Sequence, residues 1–160
     1  MRVSEAVRFF AEIPAIADRL RVLERVGMGY VELGQPAPSL SGGEAQRIKL
    51  AKEVGRRRRG VVLYVLDEPT TGLSPYDTER LLELLDELVA GGHSVIVVEH
   101  DPMVLSSCDW ICELGPGGGV EGGRVVAEGP PATLRGDPRS VTGRYLLPER
   151  GESRAGEAGT

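Results

Sequence analysis

Apolar residues follow two different rhythms along the chain. Between residues 4 and 26 they recur at helical spacing: Val7, Phe10 and Ile13, then Ile16, Leu20, Leu23 and Val26. Residues three and four apart share one helix face, so two amphipathic helices are predicted. Ser4 is the expected cap of the first, and Pro14 the expected first residue of the second. Gly27 and Gly29 are expected to end it. Residues 30–40 carry two prolines and predict an ordered loop. Ser41 and, three residues later, Glu44 then form a capping-box pattern for a helix reaching about Val54, with Gly55 as its stop.

From Val61 the rhythm changes. Val61–Leu66 and Ser94–Val98 are short apolar runs of strand length, which predict strands buried on both faces. Between them, Ser74-Pro75-Tyr76-Asp77 is a strong helix start. Leu81, Leu84, Leu85 and Leu88 give that helix an apolar face, opposite Arg80, Glu83 and Glu87, and Gly91-Gly92 end it. Strand, helix, strand predicts a parallel pair with a right-handed crossover. Trp110–Leu114 and Arg124–Glu128, joined by the glycine-rich Gly115–Gly123, predict a small β-hairpin. Pro131–Arg135 predicts one helical turn. Trp110 and the leucine stripe are assigned to the core, and His93 to an exposed turn. The chain is polar and apolar-poor from Pro148 onward, which predicts disorder.

Composition narrows the classes. The 160 residues are about one domain's worth of chain. With 24 acidic and 19 basic side chains, a formal charge of −5 argues against coating nucleic acid by bulk charge. The one basic run, Arg56–Arg59, suits a helix C-terminus and reads as a solvated cluster. No apolar run approaches bilayer length, and no basic start leads into an apolar block, so no membrane partner is expected. Cys108 and Cys112 are too few for a disulfide framework and lack zinc spacing. They read as reduced thiols in a cytoplasm.

The strongest chemical candidates lie at the carboxyl ends of the two parallel strands, where open α/β sheets bind ligands. Asp67 and Glu68 follow one strand, Glu99 and His100 the other. Asp67 can hold Mg²⁺ through its hydration shell. Glu68 can polarise an attacking water, and His100 can donate to a phosphate oxygen. One acidic pair would read as a strand terminator; two such ends side by side point to function. The second candidate is Leu40-Ser41-Gly42-Gly43-Glu44. A helix start presents N–H groups and partial positive charge, and two glycines let an anion come close. The same residues also make an ordinary helix cap, and both readings stand on the local pattern.

Taken in order, LSGGEAQR, a strand ending in LDEPTTGL and a strand ending in EH resemble the signature, Walker B, D-loop and H-loop of ABC ATPases. YVELGQPAPSLSGGEAQRIKLAKEV, LYVLDEPTTGL, VIVVEHD, DWICELGPGGG and SVTGRYL narrow the resemblance to the C-terminal end of the UvrA family, the damage sensors of bacterial nucleotide excision repair. The resemblance implies an α/β fold over residues 1–147: a partial ABC-type P-loop NTPase domain with a parallel sheet core, signature helices and a small C-terminal β-hairpin. Residues 148–160 would be a disordered tail. It also implies site roles. Asp67 would be the Walker B magnesium residue, Glu68 the catalytic base and His100 the switch histidine. Ser41, Gly42 and Gly43 would contact the γ-phosphate of an ATP held mainly by the opposite ATPase domain. Glu44 stands where the common signature has Gln, and the UvrA branch commonly has Glu there. Gly72, Leu73 and Ser74 would form the D-loop.

The chain also departs from the complete family pattern. Its only lysines, Lys49 and Lys52, lie on the signature helix and follow no glycine, so the 160 residues contain no Walker A motif. The cysteine-ligated zinc of the family has no ligands here. Ser74-Pro75-Tyr76 replaces a His often found after the D-loop leucine. The expected cofactors are ATP and Mg²⁺, and the expected partners are the remainder of a UvrA-like chain or another ABC ATPase domain. Damaged DNA and UvrB would be reached through the parent. The chain alone is expected to be inactive. The alternatives are a UvrA-like protein of drug resistance and a non-catalytic half-domain that binds a partner.

Overall fold

The helical rhythm of the first 28 residues becomes α1 (Val3–Phe9) and α2 (Pro14–Leu23) in a computed structural model that describes residues 1–36, 39–54, 60–115, 117 and 122–148. Gly55, Arg56–Arg59, most of the Gly115–Gly123 turn and the tail from residue 149 lie outside the described residues. Pro14 opens α2 as expected. Ser4, however, lies inside α1. The cap role falls to Glu5, whose carboxylate accepts the Arg2 N–H at 2.9 Å. The returning chain satisfies the next donors: Val3 N–H bonds Val31 O and Ser4 N–H bonds Gly29 O. On α2 the buried positions are Ala17 and Leu20, while Ile16 is exposed. The face turns by one residue because the small Ala17 and Ala6, both fully buried, let neighbouring backbones approach.

After Leu23 the chain makes a wide turn over Glu24–Met28, broken at Gly27, where φ is +76°. Glycine holds that conformation at little cost, and an added Cβ would sit 2.6 Å from Leu73 Cδ2. Next come α3 (Gly42–Val54), β1 (Leu63–Asp67), α4 (Pro75–Ala90) and β2 (Ser94–Val98). The predicted start of α4 is present: Ser74 Oγ accepts the Asp77 N–H and Pro75 takes the first helical position. The strands pair in parallel, from Leu63 opposite Ser94 to Asp67 opposite Val98. Leu66 joins Leu81, Leu84, Leu85 and Leu88 of α4, Leu50 and Ala51 of α3, and Val26, Met28 and Val31 in one core.

The strands are not buried on both faces. Val61, Leu63, Val65, Ile96 and Val98 are each more than half exposed. The pleat sends alternate residues to opposite faces, and the described helices cover only one of them. His93 also departs from expectation. It is half-buried, its Nδ1 accepts the Val62 N–H at 3.3 Å, and its ring meets Tyr64 edge-on.

The chain divides into two compact units, Met1–Glu99 and a second beginning at His100. The second holds α5 (Pro102–Ser107), an antiparallel hairpin of β3 (Ile111–Gly115) and β4 (Arg124–Gly129), α6 (Pro131–Arg135) and a single tight turn at Thr142–Tyr145. The hairpin and α6 match the sequence reading. Its core is Ile111, Ala127, Leu134 and Leu146. Trp110 is 60% exposed rather than core, because the pleat that buries Ile111 turns Trp110, Cys112 and Leu114 outward.

Glu113 ties this unit's last turn to the hairpin. Its carboxylate accepts from Ser140 Oγ (2.6 Å), Val141 N–H (3.0 Å) and Thr142 N–H (3.1 Å). Burial pushes its pKa up, but the hydrogen bonds outweigh that and hold it below the ordinary value. A depressed folded pKa gives stability that is complete above the unfolded value and lost as pH falls through the folded one. Glu113→Gln is expected to cost about 1–3 kcal/mol at neutral pH and to flatten the acid-side fall in stability. Thermal melts at several pH values, followed by emission of the single tryptophan, Trp110, check both outcomes.

Candidate functional site

Two segments of the first unit carry most of the candidate residues. The first is the start of α3. Its capping box is formed: the Ser41 N–H donates to Glu44 Oε2 at 2.7 Å, and the Glu44 N–H donates to Ser41 Oγ at 3.2 Å. The Tyr30 hydroxyl also donates to the Glu44 carboxylate. That bond, followed by the one from the Ser41 N–H, holds the Glu44 carboxyl below its usual range, so it stays ionised. Burial, reinforced by the bond to Glu44, pushes the Tyr30 phenol up, so Tyr30 stays a donor. With the Ser41 N–H taken, this helix end can still offer an anion the Ser41 hydroxyl proton and the Gly42 and Gly43 N–H groups, which have no carbonyl partner within a helix. A Cβ at Gly42 would meet nothing within 4 Å, so that approach is open.

The second segment is the turn after β1. Asp67 and Glu68 are both exposed at the strand's carboxyl end. Glu68 has φ +45°, the only described non-glycine residue in the left-handed region. That conformation costs on the order of 1 kcal/mol or more and concentrates at functional sites. It is held from several sides. The Glu68 N–H donates to Val98 O at 2.8 Å, and the Thr71 N–H donates back to Glu68 O at 3.2 Å. The Glu99 carboxylate accepts from both the N–H and the hydroxyl of Thr70.

The two segments meet. A Cβ on Gly43 would lie 3.3 Å from Thr71 O and 3.2 Å from Arg47 Nη1, so the second glycine marks a close approach. Arg47 is buried, and its Nη1 donates to Pro69 O (2.8 Å) and Thr71 O (3.0 Å). Gln46, in the amide orientation that satisfies both groups, pairs with the N–H and C=O of Asp67 at 2.8 Å each. Sequence reasoning misses Gln46, Arg47 and the Glu99–Thr70 link. The only signal for them is their place one turn along from the glycines and at the end of the second strand.

Gly72 (φ +76°), Leu73 and Ser74 continue the same turn into α4, with Leu73 against Gly27. The structure therefore gathers Ser41, Gly42, Gly43, Glu44, Asp67, Glu68, Gly72, Leu73 and Ser74 in one unit. His100 is exposed and opens the second unit. No cluster of three or more His, Cys, Asp or Glu suited to a metal occurs among the described residues. An exposed carboxylate such as Asp67 still fits Mg²⁺, which keeps several waters and takes further ligands from substrate phosphates.

No family model matches the chain. UvrABC system protein A of Rhizobium meliloti (strain 1021) is 53% identical over 146 residues, 91% of this chain and 15% of that protein. The counterpart from Brucella abortus (strain 2308) is 50% identical over 160 residues, 99% of this chain and 16% of that protein. The crystal structure of UvrA2 from Deinococcus radiodurans superposes with a TM-score of 0.81 at 54% identity, covering 91% of this chain and 18% of that one. The chain belongs to the UvrA family. It spans 15–16% of the length of these curated UvrA relatives. The α/β fold, with its parallel pair covered on one face by helices, accords with part of a UvrA ABC-type domain. No helix among the described residues is long and apolar enough to cross a membrane.

Proposed function

We propose that residues 1–147 are the C-terminal portion of the second ABC ATPase domain of a UvrA-type protein, one that couples ATP binding and hydrolysis to DNA-damage recognition in nucleotide excision repair. The observation that carries this is Glu68, held left-handed at the end of a parallel strand, on a turn that touches a glycine-led helix start. Glu68 orients the attacking water and takes its proton. Asp67 holds Mg²⁺ through water, and the ion, when bound, neutralises charge on the phosphate oxygens. The Ser41 hydroxyl and the Gly42 and Gly43 N–H groups donate to the γ-phosphate of an ATP seated mainly on an opposite ATPase domain. Glu44 holds the cap of that helix. His100 donates to a γ-phosphate as the switch histidine, and Gly72, Leu73 and Ser74 carry the state of the site across the interface. The partners are the remainder of a UvrA chain and, through it, damaged DNA and UvrB, in the cytoplasm.

One observation favours a second reading for the 160 residues taken alone. They contain no G-x-x-x-x-G-K-[ST] loop, so they would bind a partner without turning over ATP. Nucleotide binding separates the two readings. Joined to a segment that supplies that loop, the folded protein is expected to bind ATP with Mg²⁺ in an equilibrium titration, whereas the chain alone is not. Absence of binding by a well-folded joined protein would count against the ATPase assignment.

A further inference from the structure

The side of β1 facing away from β2 would ordinarily expose the Asp67 N–H and C=O as a free sheet edge. Here the Gln46 amide takes both at 2.8 Å, acting as a one-residue continuation of the sheet. One residue further along α3, Arg47 places Nη1 between the carbonyls of Pro69 and Thr71, at 2.8 and 3.0 Å. Arg47 is 1% exposed, and its Nε is buried without a hydrogen-bond partner. Buried at that depth, the guanidinium has no solvent to turn to and is committed to its two carbonyls. Gly43 completes the contact, since any side chain there would press on both Arg47 and Thr71 O.

We infer that Gln46 and Arg47 are positioning residues that fasten the acidic turn, residues 67–71, to the start of α3, so that the glycine-led helix end and Glu68 behave as one rigid piece. Gln46 fixes the backbone before Glu68, and Arg47 fixes it after. The left-handed φ of Glu68 is thereby set from both sides. The significance of that carboxylate rests on the ATPase reading, but the fastening does not.

Amide hydrogen exchange on the full 160-residue chain, without nucleotide, tests it. Arg47→Met keeps most of the buried volume and removes the donors, and Arg47→Lys keeps a charge that can reach a carbonyl. The expected result for Arg47→Met is about tenfold faster exchange at the Thr70–Leu73 amides, with Leu81–Leu88 of α4 unchanged. Arg47→Lys is expected to restore part of the protection. Unchanged exchange at residues 70–73, or a uniform rise that includes α4 and is not relieved by lysine, would overturn the proposal. Should Arg47→Met not fold, half-buried Gln46→Leu serves instead. Its expected effect is faster exchange confined to the Asp67 and Glu68 amides, and no change there would equally overturn it. Failure of ATP binding in the joined protein would leave these results untouched, so the two readings fail separately.

Discussion

Incubated with ATP and Mg²⁺, the purified 160-residue chain is expected to release phosphate no faster than buffer, and Glu68→Gln is expected to change nothing. Once a loop bearing the phosphate-binding lysine is supplied, the expectation reverses. Turnover appears, and Glu68→Gln lowers kcat on the order of 100- to 1,000-fold while ATP binding persists. The reason lies in the division of labour. On the proposed assignment, binding energy would come chiefly from backbone amides and a lysine that this chain does not contain, while the group that would act on water is Glu68, exposed and held in the left-handed region. Replacing its carboxylate by an amide of nearly the same shape removes the proton acceptor and leaves the turn intact. Steady-state phosphate release and equilibrium nucleotide binding, measured on the same preparations, read the two terms apart. Robust turnover by the chain alone, abolished by Glu68→Gln, would refute the assignment of this chain as an incomplete site.

The second large effect concerns the open sheet face. Val61, Leu63, Val65, Ile96 and Val98 form an apolar surface that the register brings together, since Val65 pairs with Ile96 and Val98 lies beside Asp67. Exposed β-branched residues on one face of a two-stranded sheet invite association. Sedimentation of the isolated chain is expected to show concentration-dependent association. Val65→Lys combined with Ile96→Lys should weaken it on the order of 100-fold, from the apolar burial lost at two positions. A wild-type chain that stays monomeric across the concentration range would contradict this. The rest of a longer UvrA chain is the occupant we expect for the same surface.

Local periodicity and turn chemistry carry much of the fold. They account for the four leucines of α4, its Ser-Pro-Tyr-Asp start, the capping box at Ser41 and the β2 boundaries. The fold keeps these features because local preference and burial agree. The acidic pair is legible too, because a polar break straight after an apolar strand leaves few structural explanations. What the sequence hides depends on partners distant along the chain. One-sided burial of β1 and β2 is set by which helices lie over the sheet, and a run such as Val-Val-Leu-Tyr-Val-Leu does not encode that. Trp110 reads as core by residue type, yet the pleat assigns the inward position to Ile111. Ser4 loses its cap role because Val31 and Gly29 return to satisfy the first turn of α1. α5 is marked only by Asp101-Pro102, where Asp101 Oδ1 accepts the Met103 N–H at 2.7 Å. The bonds from Gln46 and Arg47 end on backbone atoms and so leave no mark on the residues they hold.

That last feature bears on how the segment can drift in evolution. A guanidinium that reads two carbonyls is indifferent to the side chains at Pro69 and Thr71, because every residue offers the same oxygen. The burden of specificity therefore falls unevenly. In a saturation library scored for function, substitutions at Thr71 should be borne far more readily than those at Arg47 or Gln46. The structure thus separates one tolerant position, Thr71, from the two side chains that hold the backbone around it.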